Sequence, residues 1–212
     1  MPHMEEQLGL TLGQLLPIMQ ERVLNGTTYF GIRTLKSPID FWVYQEIIFE
    51  TKPDVIIEVG NFHGGSALAL AHICDSLGAG RIIGLDLSHD EVTELVRQHP
   101  RITLIEGDAC QSFESVKALI NDTESVMVIE DSSHTFENTL AVLDTYSQLV
   151  KPGGYFIVED GICNHGLEVD TAFRAYEAID AFIERNPHFE IDRSRESFLI
   201  TWNPKGYLKR AQ

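Results

Sequence analysis

Short apolar runs that end on acids or glycines recur from residue 54 to residue 160, each separated from the next by a stretch long enough for a helix. Residues 54–60, 81–86, 102–108, 125–131 and 154–160 read as strands. Each run is short and bounded, as in strands buried on both faces of a parallel sheet. Between them, residues 66–77, 90–98, 113–120 and 135–150 read as helices. This β-α-β-α order predicts a parallel sheet with right-handed crossovers and helices on both faces. Lys151-Pro152-Gly153-Gly154 supplies the stop and turn before the fifth strand.

Both ends of the chain depart from that rhythm. Residues 170–186 form one more helix candidate, with Asp170 as its N-cap and Asn186-Pro187 closing it. Residues 189–195 and 197–203 follow as strand-like runs with no room for a helix between them, so an antiparallel hairpin is expected at the end of the sheet. Ahead of the first strand, residues 8–24 and 40–50 are helical in pattern. The expected architecture is α/β and Rossmann-like, with a mostly parallel seven-stranded sheet. It is expected as one domain, a helical cap over residues 1–52 and a core over residues 53–212.

Acidic residues outnumber basic ones 32 to 16, a formal charge of −16. Phosphate binding needs Lys/Arg patches, so neither nucleic acid nor a membrane is an expected partner. The charge serves solubility first, and part of it is available to a cation site or a cationic ligand. No stretch approaches the roughly 20 apolar residues of a membrane-spanning helix. Residues 1–7 are polar and lack the apolar core of a secretory signal. Cys74, Cys110 and Cys163 have neither zinc-site nor redox spacing and are expected as reduced thiols, which suits a cytoplasmic protein.

The first strand runs through Glu58 into Gly60-Asn61-Phe62-His63-Gly64-Gly65-Ser66. Glycines let backbone amides approach a ligand, and a helix N-terminus favours a negative group. The spacing departs from the Gly-x-Gly-x-x-Gly dinucleotide fingerprint. Asp86 ends the second strand, where a carboxylate can accept from both ribose hydroxyls, and Asp108 ends the third, within reach of a base. Gly60, Phe62, His63, Gly64 and Ser66, with Glu58, Asp86 and Asp108, are therefore candidate cofactor-binding residues. A cofactor with a sulfonium charge and no phosphate, such as S-adenosylmethionine, fits this acidic rim better than a pyrophosphate. The plain alternative is a tight βα turn whose acids cap helices.

Acids also close the fourth and fifth strands. Asp131 is followed by Ser132-Ser133-His134, and Val158 by Glu159-Asp160. Carboxylates at the ends of neighbouring parallel strands meet where such sheets bind ligands. Asp131, Glu159 and Asp160 could hold a hard divalent cation such as magnesium, with His134 beside it as the proton acceptor. The alternative is that Asp131 caps the following helix and His134 is structural. Trp42, Tyr29 and Phe30 could cover a ligand or pack in the core, and His165 could line an acceptor pocket.

Several of these residues carry a family resemblance. Gly31-Ile32, Lys36-Ser37-Pro38-Ile39-Asp40-Phe41-Trp42, Tyr44-Gln45-Glu46, His63-Gly64-Gly65-Ser66, Asp131-Ser132-Ser133-His134, Glu159-Asp160 and the tail from Phe198 to Leu208 resemble the cephalosporin hydroxylase/CmcI-like family of class I S-adenosylmethionine-dependent methyltransferases. Its relatives include magnesium-dependent macrolide-sugar O-methyltransferases. The resemblance implies metal ligands at Asp131, Glu159 and Asp160, a base at His134 and a homo-oligomer. It also implies methyl transfer to a hydroxyl of a sugar or other natural-product small molecule, as in antibiotic biosynthesis. Gly161-Ile162-Cys163 departs from the family's commoner threonine-containing loop. Two alternatives stand beside this reading: a cofactor-binding partner module for a separate oxygenase, and an NAD-dependent oxidoreductase.

Overall fold

The computed structural model describes residues 3–6 and 8–211. Met1, Pro2 and Gln7, part of the polar leading stretch, lie outside the described residues, as does Gln212. In chain order come α1 (Leu12–Gly26), the two-stranded ribbon β1 (Thr28–Tyr29) and β2 (Ile32–Arg33), and α2 (Pro38–Thr51). The alternating core follows: β3 (Val55–Val59), α3 (Gly65–Leu77), β4 (Arg81–Asp86), α4 (Glu94–Arg97), β5 (Ile102–Glu106), α5 (Phe113–Lys117), β6 (Val126–Glu130), α6 (Phe136–Tyr146) and β7 (Tyr155–Val158). Then come α7 (Ala175–Arg185), β8 (Phe189–Ile191) and β9 (Tyr207–Arg210).

The seven-stranded sheet has the order β5-β4-β3-β6-β7-β9-β8. Strands β3 to β7 pair in parallel, and β9 is antiparallel to both β7 and β8. The order reverses direction at β3, so the crevice beyond the carboxyl ends of β3 and β6 is where such a sheet binds ligands. Alternation along the strands splits the core into two faces. Val55, Ile57 and Val59 pack with α6 and α7, whereas Ile56, Met127 and Ile157 pack with α2 and α3. Glu58 shares the second face and is fully buried.

Several strands stop before the acids that follow them. Asp108, Asp131 and Asp160 lie one or two residues past the last paired position, in the loops, where the ladder ends and the backbone turns into the crevice. The expected helix over 170–186 begins later, at Ala175; Asp170 instead turns its carboxylate onto the amide of Ala172 at 2.9 Å.

The main correction concerns the hairpin. Residues 197–203 form no strand, and the antiparallel partner is β9, further along. The apolar run Phe198-Leu199-Ile200 is misleading there, because Phe198 and Leu199 are exposed while Thr201, Trp202 and Asn203 are buried. That segment turns inward to satisfy a buried carboxylate. Asp40, in the first turn of α2, accepts from the hydroxyl of Thr201, from the amide of Trp202 at 2.9 Å and from the hydroxyl of Tyr207 at 2.9 Å. Asn203 extends the network, donating to Tyr44 Oη at 2.8 Å and accepting from the amide of Asp160 at 3.2 Å. One carboxylate thus fastens the N-terminal helices to the C-terminal tail.

Each donor left buried without its acceptor costs roughly 1–3 kcal/mol. Asp40→Ala strands three of them and is expected to lower unfolding stability by more than ~2 kcal/mol, read as a fall in the urea midpoint. An unchanged midpoint would show that the network contributes no stability.

Candidate functional site

The crevice is built by close approach of backbone. Gly60 has φ +87°, and a Cβ there would overlap the carbonyl of Asp131, so the chain leaving β3 can pass the chain leaving β6 only as glycine. The amide of Asp131 donates to Val59 O at 2.8 Å and that of Gly60 to Leu85 O at 2.8 Å, lacing three strand ends together. At the start of α3, Gly65 leaves room for the Thr34 side chain, which brings residues 34–36 across the crevice. Phe62, His134 and Asp160 all take left-handed backbone conformations, with φ of 46°, 55° and 57°. Such strain is held in place by the surrounding structure and concentrates at functional sites.

A cleft of about 610 Å³ runs over these strand ends. At one end Asp86 accepts from the amide of Phe62 at 2.7 Å and from that of Leu87 at 2.8 Å, with Phe62 and Leu87 exposed beside it. Asp108 also borders the cleft while holding its own turn through the amide of Gln111 at 2.9 Å. Gly60 and Ser66 complete this end. Glu58, His63 and Gly64 do not reach the lining. Glu58 is buried beneath it, and His63 packs against the Phe62 ring with centroids 3.8 Å apart.

At the other end the cleft meets Asp131, His134 and Asp160. Nε2 of His134 lies 3.7 Å from Asp131 Oδ1 and 3.3 Å from Asp160 Oδ2. One donor atom from each of the three residues lies within 4.8 Å of the others, close enough for one cation to meet all three. Glu159 points elsewhere: with Asp131 Oδ2 it receives the ammonium of Lys36, which also lies 3.5 Å from Glu58 Oε1. Val169, Phe173 and Trp202 cover this end of the cleft, and Trp202 is pinned by Nε1 donating to Gln20 Oε1 at 2.5 Å.

The electrostatics follow from burial. Burial pulls the Lys36 ammonium down, but Asp131, Glu159 and Glu58 outweigh it and hold the pKa well above the lysine range. Burial raises Asp131 to about 7 against the pull of Lys36 and His134, and it raises Glu159 and Glu58 as well. Burial lowers His134, yet Asp160, Asp131 and Glu130 together leave it raised. Four carboxylates share this corner with one lysine, and burial with so little compensating cation is what raises Asp131, Glu159 and Glu58.

Sequence reasoning did not single out Lys36 as a site residue. Its signal was faint: a lone lysine just ahead of the Ser37 cap of α2, where an exposed side chain is the usual case. His165 stacks on Tyr176 with centroids 3.8 Å apart and does not line the cleft. Trp42 and Phe30 are exposed outside the cleft, and Tyr29 bonds His72 at 3.0 Å. His89 is buried and bonded to Asn61 at 3.0 Å beneath the glycine turn.

Comparison with known proteins places these features in a family. Residues 21–211 match the family described as Rhamnosyl O-methyltransferase/CmcI. The rhamnosyl O-methyltransferase of Mycobacterium leprae (strain TN) is 36% identical over 196 residues, covering 89% of this chain and 85% of that protein. That of Mycobacterium tuberculosis (strain ATCC 25618 / H37Rv) is 33% identical over 191 residues, covering 87% and 78%. A solved structure of CmcI, described with magnesium and SAM, superposes with a TM-score of 0.70 at 22% identity, covering 88% of this chain and 77% of its own. The strand order, the terminal hairpin and the match across nearly the whole sequence agree: the chain belongs to the rhamnosyl O-methyltransferase/CmcI family and has the class I methyltransferase fold.

Proposed function

We propose that this chain is an S-adenosylmethionine- and magnesium-dependent O-methyltransferase whose acceptor is a hydroxyl of a sugar or other natural-product small molecule. One observation carries the reading. A single cleft joins the end bordered by Phe62, Asp86 and Asp108 to the carboxylate-imidazole end at Asp131, His134 and Asp160. The rhamnosyl O-methyltransferase relatives support the reaction class and a sugar acceptor, and CmcI with magnesium and SAM is a precedent for both cofactors.

The donor chemistry fits both groups. Asp86 retains lone pairs for ribose hydroxyls beyond those engaged by the two backbone amides. Oxygen ligands suit magnesium, and Asp131 and Asp160 present them on the cleft side; Glu159, turned onto Lys36, would join them as a third carboxylate only by leaving that ammonium. Bound there, S-adenosylmethionine supplies an electrophilic methyl and magnesium a Lewis acid that acidifies a coordinated hydroxyl.

The protein's own residues do the rest. Phe62 and Leu87 border the nucleoside end, while Val169, Phe173 and Trp202 shield the reacting end from water. His134 Nε2 faces the cluster and takes the acceptor's hydroxyl proton as the oxygen gains the methyl. Asp160, Asp131 and Glu130 raise the His134 pKa against burial, and a cation beside Asp131 and Asp160 would counter that rise and favour an Nε2 able to accept a proton.

His134→Ala is expected to lower kcat by about 10²–10⁴-fold with little change in S-adenosylmethionine affinity, measured by single-turnover assay and calorimetry. A large loss of cofactor affinity would remove His134 from the role of base. Excess EDTA is expected to abolish methyl transfer and added magnesium to restore it. Full activity in EDTA would take the metal out of the reaction.

A further inference from the structure

Lys36 is 5% exposed, and lysines are almost never so buried unless paired. Its ammonium touches Asp131 Oδ2 at 2.5 Å, bonds Glu159 Oε1 and lies 3.5 Å from Glu58 Oε1. The segment carrying it is fixed on both sides. The amide of Thr34 donates to Thr27 O at 3.0 Å, and Ser37 caps α2 by accepting from the amide of Asp40. The ammonium is therefore delivered to the cluster by local structure rather than by a flexible reach from the surface.

The two oxygens of Asp131 divide between opposite neighbours. Oδ1 faces His134 and Oδ2 faces Lys36, and both neighbours border the cleft. Asp131 and Glu159 are two of the three carboxylates assigned above to magnesium, so the inference rests on that reading. An ammonium and a dication drawn to the same two carboxylates repel each other in a poorly screened corner of the protein.

We propose that Lys36 is a positioning residue: as resident counter-cation it keeps Asp131 and Glu159 in place without a metal, and its charge weakens divalent-ion binding at those carboxylates. Removing the charge then has two opposite effects. The metal-free protein loses a partner for buried acids and becomes less stable, while the site's hold on a divalent ion tightens. A merely structural lysine would give the first effect without the second.

The test uses Mn²⁺ as probe, with free ion read by electron paramagnetic resonance and thermal unfolding followed in EDTA and in excess Mn²⁺. Lys36→Met is expected to bind Mn²⁺ about tenfold tighter or more than the wild type. Its Tm should be lower than the wild type's in EDTA and recover more when Mn²⁺ is added. Lys36→Arg, which keeps the charge, should bind Mn²⁺ much as the wild type does. If Lys36→Met does not fold, Lys36→Gln is the neutral variant and must tighten in the same way. Binding unchanged or weakened in the neutral variant, with the wild type binding Mn²⁺, would overturn the role of Lys36 and leave the metal reading intact. No Mn²⁺ binding by either protein would overturn the metal reading and this proposal with it.

Discussion

A buried ammonium ties together four parts of this protein. Lys36, between β2 and α2, reaches Glu58 in β3, Asp131 after β6 and Glu159 after β7. Taking ionised carboxylates out of water costs several kcal/mol each even after relaxation, so acids buried this deeply need a cation close by. One lysine meets only part of that need. The same shortage of positive charge that makes the acids costly for the fold makes their cleft side attractive to a cationic ligand.

A second buried group sets the geometry around it. Asp40 gathers Thr201, Trp202 and Tyr207, and Asn203 passes that order to the amide of Asp160. The tail therefore does more than complete the sheet. It fixes the left-handed turn at Asp160 and sets Trp202 in the lining of the cleft that holds Asp131, His134 and Asp160. Because α2 starts at Pro38, the network that orients Asp160 also anchors the segment that carries Lys36. The cap, the sheet ends and the tail form one mechanical unit around the acids.

Much of this was legible in the sequence because it rests on short-range rules. Apolar runs ending in acids gave five parallel strands, and Asp86, Asp131 and Asp160 fell at the crevice because strand ends in such a sheet lie there. What escaped depends on contacts between distant residues. The apolar run in 197–203 suggested a strand, but the bonds to Asp40, some 160 positions away, turned that segment inward. Lys36 carried no site signal of its own for the same reason, since its carboxylates come from three separate strand ends. Glu58 was expected to face the ligand; side-chain alternation along β3 turns it instead toward α2 and α3, under the cleft floor.

The central claim is that the glycine turn and Asp86 form a seat for S-adenosylmethionine in the cleft that also holds His134. Calorimetric titration of S-adenosylmethionine into the metal-stripped protein tests it most directly. The account predicts saturable binding of one cofactor per chain, weakened by Asp86→Ala. A folded protein that takes up no S-adenosylmethionine would contradict it.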